Sequence, residues 1–340
     1  MSATTQLTDF SDLYTDLQNR VRITTGVTAS ENQAKRYINI GLHDMHIGYG
    51  EKFPWAERTA ILRTQAPYTT GTVATTKGST TVTGSSTLWN TANDFSVNNV
   101  RAGGKMTFGG ADTYEVSAIA SDTSLTLTQR FISTSLAAGS SYTYFEDEYD
   151  LASDFLRPLD WTSFDLNGEV ELVDRREFRR AFARNATTGR VQMATLVDLA
   201  PSGNTTPRRR VRFWKAPGTN YLLPYAYVTS NLATSSAGSA QAQLSAATDE
   251  PIVPLAYRHA IVLHALYNWY RDKKDDARSQ EVKGEYTDLI LRIVGDTEDG
   301  SRRPHLHPRV GAYVHRATRP WSGGSGVGRY TDGTRFDELR

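Results

Sequence analysis

Residues 69–86 read TTGTVATTKGSTTVTGSS, and Thr87, Leu88 and Trp89 follow at once. Threonine, serine and glycine dominate, with Val73 and Val82 at intervals. That composition suits exposed strands whose valines face a small core. The flanks are different: RYINIGLHDMHIGYGEKFPW (36–55) before it and PIVPLAYRHAIVLHALYNWYRD (251–272) far beyond it. Both carry charges and apolar residues at helical spacing. The fold therefore turns on how a β cassette sits inside a helical protein.

The β language continues to about Tyr144. Val73, Val82, Met106, Phe108, Tyr114, Val116, Ile119, Leu125 and Leu127 fall in short alternating runs. Lys77-Gly78, Gly109-Gly110 and Ser121–Ser124 supply turns between them. Short strands at this spacing predict a small sandwich or barrel. Glu57–Arg63 before the cassette and Phe145–Leu151 after it read as parts of one outer module, so the cassette is expected to be an insertion rather than one of two tandem domains.

Outside it, Phe10, Leu13, Tyr14, Leu17 and Val21 predict a helix over 7–22. Ser30 and Gln33 have capping-box spacing and predict the start of a second helix. Ala34, Ile38, Leu42 and Met45 form its stripe, with Gly41 admitting a close neighbour. Past the cassette come an acidic run, Glu146–Asp150, a strand over 169–173, and a basic helix from Asp174 to Arg184 resting on Phe178 and Phe182. Strands are predicted at Val211–Trp214 and Tyr221–Val228, turning at Ala216–Gly218. Residues Ser230–Ala247 read as a loop. One helix is expected from Pro254, a favourable first-turn position, to about Arg271, and another from about Ala277 to Val294. The short turn Asp272–Asp276 makes them an antiparallel pair. After Gly295 the chain loses periodicity.

The 340 residues are 39% hydrophobic, enough for a sizeable core and against wholesale disorder. With 38 basic and 37 acidic residues, the total charge gives no reason to expect nucleic-acid or membrane binding, and only local clusters could supply one. There is no cysteine, which excludes disulfides, thiolate metal sites and cysteine nucleophiles. MSATTQLTDF has no basic or apolar signal region, and no run of about 18 apolar residues spans a bilayer, so cytosolic synthesis and a soluble product are expected.

Enzyme signatures fail their context tests. Gly323–Gly328 is glycine-rich but follows no strand and opens no helix, and Gly103-Gly104-Lys105-Met106 lacks both the upstream glycine and the hydroxyl of a phosphate loop. There is no GxSxG elbow. His43 with His46, and His305 with His307, lack a third ligand, so structural roles are favoured over a metal. His259 and His264 read as packing residues. Glu146–Asp150 lacks the spacing of a calcium loop and reads as a solvated strand edge. The chain is read as non-enzymatic, without cofactor or metal.

Arg175, Arg176, Arg179, Arg180 and Arg184 crowd one helix, and Arg208–Arg210 with Arg212 form a second group. Inter-subunit ion pairs are favoured over nucleic-acid binding for both. Residues 301–330 hold six arginines and no acid, interleaved with Tyr313, Trp321 and Tyr330. Such an arm carries the residue types of interface hot spots and orders on docking.

Taken in order, these parts resemble the head-to-tail adaptor (connector) proteins of tailed bacteriophages. The residues carrying the resemblance are the second helix with 34-AKRYINIGLHD-44 and Phe53-Pro54-Trp55, then 151-LASDFLRP-158, 211-VRFWKAP-217, 221-YLLPYAY-227 and the closing helix after 251-PIVP-254. They span most of the chain outside the cassette and are packing patterns, not catalytic signatures. The resemblance implies an α+β protein: a helical adaptor core with a few strands (1–68 and 145–295), an inserted all-β domain, immunoglobulin-like or barrel (69–144), and an extended C-terminal arm (296–340). It implies a homo-oligomeric ring of about twelve copies in the virion, at the head–tail interface. The ring would join the portal protein to a tail or nozzle protein. Genomic DNA would pass through the lumen on ejection without sequence-specific binding, and no membrane is involved. Arg309, Tyr313, Arg316, Arg319, Trp321 and Tyr330 are the expected portal-binding residues of the arm. Arg175, Arg176, Arg179 and Arg180 are the expected subunit interface, kept out of the channel because basic lumen walls would slow DNA. The alternative reading is a host- or glycan-binding virion protein using the inserted β domain, with Trp89, Phe95 and Tyr114 as its aromatic candidates.

Overall fold

Asp9 starts the first helix with the capping box that the sequence reading assigns to Ser30. Its carboxylate accepts from the Asp12 N–H at 3.0 Å, while Asp12 reaches back to the N–H groups of Thr8 and Asp9. The computed structural model describes residues 6–22, 27–93, 95–109, 112–159, 170–181, 187–197 and 209–302. The described residues form a mixed α+β fold. Its helices are α1 (Phe10–Arg20), α2 (Thr28–Tyr49), α3 (Arg175–Ala181), α4 (His259–Asp272) and α5 (Asp276–Arg302). Because α2 already begins at Thr28, Ser30 lies inside its first turn, and the residue before it, Val27, has no side chain able to cap.

α4 is the axis of the helical core. Ala260, Ile261, Val262, Leu263, Ala265 and Leu266 are buried, so the helix is covered on nearly all sides. Its first turn is a separate 3-10 segment, Leu255–Tyr257, set off by Pro254. α1, α2 and α5 pack around it. Phe10, Leu13 and Leu17 meet Ile38, Leu42 and Met45 there, and Tyr286, Ile290 and Ile293 close the opposite side. Arg258 is buried at the foot of α4, donating to the carbonyls of Leu7, Thr8 and Val253 and pairing with Glu250. One guanidinium thus ties the start of the chain to the last helical pair. α5 runs on past Gly295, where the sequence reading ends the helix, to Arg302. On this extra length the Thr297 hydroxyl lies 3.2 Å from Lys52 O and 2.9–3.0 Å from the carbonyls of Val294 and Ile293 in its own helix.

The strands run β1 (Glu57–Arg63), β2 (Thr72–Thr75), β3 (Thr81–Ser85), β4 (Lys105–Thr107), β5 (Thr113–Ser121), β6 (Ser124–Leu127), β7 (Leu136–Ser140) and β8 (Thr143–Phe145). The last seven form one antiparallel sheet, ordered β7-β2-β3-β6-β5-β4-β8. Its two edge strands are consecutive in the chain, with only Ser141 and Tyr142 between them. Two residues span at most about 10 Å when extended. The sheet must therefore curl until its edges nearly meet. Long β5 makes the bend, pairing with β4 at its start and with β6 beyond, through two register shifts. Val73, Val82, Trp89, Met106, Val116 and Phe131 fill the inside. At the base, Tyr68 and Tyr144 exchange backbone hydrogen bonds of 2.8 and 2.9 Å, so the incoming and outgoing chains lie side by side.

A third core follows. Its strands are β9 (Glu148–Asp150), β10 (Phe155–Pro158), β11 (Glu171–Leu172), β12 (Thr188–Gly189), β13 (Met193–Val197), β14 (Arg210–Trp214), β15 (Ala216–Pro217) and β16 (Leu222–Thr229). They pair as β1-β16-β10, β11-β13-β14-β9 and β12-β15. Leu62, Tyr149, Phe155, Val211, Phe213 and Leu223 pack between them. β16 joins this core to the helices: Leu223, Tyr225 and Tyr227 belong to the sheets, while Val228 lies among the helical residues. The expected loop 230–247 carries two short strands, β17 (Ala233–Thr234) and β18 (Ala240–Gln241), laddered with β19 (Glu250–Pro251).

Candidate assembly surface

α3 owes its position to Phe178, which is buried and seats the helix against β13. The Arg212 guanidinium stands 5.9 Å from the ring centroid of Phe178. With Phe178 turned inward, helical geometry sends Arg176, Arg179 and Arg180 outward, and all three are exposed, while Arg175 is half-buried. Among the described residues no ion pair joins any of the four to a carboxylate. Phe182 and Arg184, the other expected members, lie outside the described residues, as do the arm residues Arg309, Tyr313, Arg316, Arg319, Trp321 and Tyr330.

Arg210 and Arg212 of the second arginine group depart from the sequence reading, and Arg208 lies outside the described residues. Arg210 pairs with Asp150 at 2.7 Å and Glu148 at 3.0 Å, and Arg212 with Asp147 at 3.0 Å. Strand pairing explains this: β14 lies antiparallel to β9 with Arg210 opposite Asp150 and Arg212 opposite Glu148. Their charge is spent within the chain.

The acidic run is likewise not a solvated edge. Glu146 and Asp147 fill the connection from β8 to β9, where the curled sheet meets the third core, and both are buried. Arg101 holds Glu146, which also accepts from the Tyr144 hydroxyl at 2.6 Å. Asp147 is taken by Lys105 of β4 on one side and Arg212 of β14 on the other. Each unit supplies a cation to one shared carboxylate. Burial beside Glu146 pushes the phenols of Tyr144 and Tyr149 far up, so both stay neutral hydrogen-bonding groups.

Two of the described histidines, His46 and His264, have structural partners. His46 Nε2 donates to Thr229 O at 2.6 Å, and burial holds its pKa below the ordinary imidazole value. His264 is edge-on to Tyr286 and within 3.1 Å of the Asn268 amide. Of the aromatic candidates for ligand binding, Trp89 and Tyr114 are core residues, and Trp89 Nε1 donates to the Tyr142 hydroxyl at 2.9 Å.

One surface was not anticipated. β1 is the edge of its sheet, and its outer face bears Ile61, 67% exposed, next to Leu222, 57% exposed, on β16. With Phe95 from the connection between β3 and β4 they line a cavity of about 400 Å³, where the Arg63 guanidinium stands 4.3 Å from the Phe95 ring centroid. The signal lay in Ala60-Ile61-Leu62, which is apolar on both faces of a strand, whereas a simple edge would alternate.

Among the described residues no group of three histidine, aspartate or glutamate side chains is placed to hold a metal ion, and no helix is long and apolar enough to cross a membrane. No protein-family model matches the chain, and no curated protein matches it.

Proposed function

We propose that this chain is a structural subunit of a head-to-tail adaptor ring in a tailed bacteriophage, joining portal to tail around the DNA channel. The observation that carries the reading is the contrast between its two arginine groups. Arg210 and Arg212 are satisfied by carboxylates of their own chain, whereas Arg176, Arg179 and Arg180 are held outward by a buried phenylalanine and have no such partner among the described residues. A fixed cationic face on a near-neutral protein fits a contact with another copy, repeated around a ring. In this reading the curled sheet is a small barrel inserted into the adaptor core and decorates or braces the rim. The glycan-binding alternative gains nothing from Trp89 and Tyr114, which are buried.

The test is assembly. Arg179→Ala with Arg180→Ala should convert rings to free subunits in native mass spectrometry, with circular dichroism unchanged. Intact rings would remove the arginine face from the interface. The C-terminal arm is assigned to portal docking on its arginines and aromatics. Ending the chain at Arg302 should leave the circular dichroism of the full chain and abolish co-sedimentation with portal. Undiminished co-sedimentation rules the arm out.

A further inference from the structure

In its described sheet, strand β1 has one open side. Thr64 N donates to Tyr221 O, and antiparallel pairing alternates from there. Residues 58, 60, 62 and 64 therefore direct their backbone groups to β16, and Thr59, Ile61 and Arg63 direct theirs away from it. Beside that edge Ile61, Leu222 and Phe95 present one apolar surface around the cavity. Two cations line it. Arg101 is taken by Glu146 and Gln65, whereas Arg63 lies against the Phe95 ring and has no carboxylate partner among the described residues. An exposed edge joined to an apolar surface is normally covered, and a helix is one of the covers that sheets use. The cover that fits here carries an apolar side chain and an acid about as far apart as Ile61 and Arg63, two strand positions or roughly 6–7 Å.

α5 has such a face. It buries Val282, Tyr286, Ile290 and Ile293 in the helical core. At about 3.6 residues per turn, Gly284, Asp288, Leu291 and Gly295 stand on the opposite side. Leu291 is 61% exposed, and a Cβ at either glycine would meet nothing within 4 Å, so this side of the helix is clear of the rest of the described chain. Asp288 lies one turn before Leu291, the spacing that sets Cβ atoms about 5–6 Å apart. It forms no ion pair among the described residues. Ile132 is also exposed, at 68%, but Arg130 two positions before it would set a like charge against Arg63.

We infer that the outer face of α5 in one copy covers the β1 edge of the next, with Leu291 in the cavity among Ile61, Leu222 and Phe95 and Asp288 paired with Arg63. The two patches are different surfaces of one chain, so each copy offers one patch to each of two neighbours. Such a contact closes as a ring or runs on as a filament. The inference deepens the adaptor-ring reading and rests on it, adding an apolar contact to the charged one assigned to the α3 arginines.

Mixing two damaged variants tests the assignment. Leu291→Glu spoils the α5 face and Ile61→Glu spoils the cavity, and because both positions are exposed, circular dichroism should match the parent. At a concentration where the parent assembles, each variant alone should give free subunits in native mass spectrometry. Association should weaken roughly thirtyfold or more, as on loss of a hot-spot side chain. Equimolar mixing should then give 1:1 heterodimers and nothing larger, because one intact pair of patches remains between the two chains. Arg63→Asp and Asp288→Arg should each do similar damage, and combining them in one chain should restore assembly. Rings that survive Leu291→Glu and Ile61→Glu overturn this inference and leave the ring reading standing. Free subunits from both variants without heterodimers on mixing overturn the pairing of these two patches. A parent that is monomeric at every concentration overturns the ring reading, and this inference with it.

Discussion

Replacing Asp147 by alanine is expected to destabilise the protein by about 3–5 kcal/mol, the cost of removing one partner from a buried ion pair. The side chain is 1% exposed and sits between Lys105 and Arg212, which are themselves 15% and 23% exposed. Removing it leaves two cations facing one another in a site with little water. Neither can swing clear easily, because Lys105 lies in a three-residue strand and Arg212 is fixed by the β14–β9 ladder. The damage should concentrate where the curled sheet meets the third core. Urea unfolding would show the lower midpoint, and limited proteolysis should cut first near 146–148. Asp147→Asn keeps the shape and some hydrogen bonding and should cost less than the alanine. A loss below about 1 kcal/mol for Asp147→Ala would mean that solvent reaches both cations and that the carboxylate does not join the two units.

Local signals in the sequence carried much of this fold. The strand Glu57–Arg63, the stripe of α2, the proline before α4 and the β character of 69–144 are each written in spacing or turn residues that act over a few positions. What was hidden depends on partners distant in sequence. Glu146–Asp150 looks like a solvated edge because nothing nearby neutralises it, and its cations come from residues 101, 105, 210 and 212. The same pairing removed Arg210 and Arg212 from the expected interface, while Arg176, Arg179 and Arg180 of α3 are exposed, on the side of the helix away from the buried Phe178. The cap was misassigned for a different reason: Asp9–Asp12 and Ser30–Gln33 have the same capping-box spacing, but α2 begins at Thr28, which puts Ser30 inside the helix. The open edge of β1 was invisible because edge status belongs to the order of strands in a sheet, which local pattern does not encode.

Gly41 and Gly48 lie two turns apart on α2, and alanine at the two sites should act with opposite sign. A Cβ at Gly41 would stand 2.9 Å from Ile261 O and 3.3 Å from Ala265 N, both backbone atoms of α4. No rotamer change can move them, so the two helices must separate. A Cβ at Gly48 meets nothing within 4 Å. There, alanine replaces the most flexible residue in a helix and should stabilise by up to about 1 kcal/mol. At Gly41 the same propensity gain is outweighed by overpacking, which costs about 1–3 kcal/mol in a filled core. Gly41→Val adds two methyl groups to that contact and should exceed the upper end of the range. The consequence spreads because α4 is also the support for α1 and α5, so a shift at one crossing loosens Ile38, Leu42 and Met45 from Ile261 and Leu266 together. Thermal unfolding of the two alanine variants decides it. If Gly41→Ala melts at or above the parent temperature, the crossing of α2 and α4 has slack, and the glycine is there for some reason other than the close approach of the two backbones.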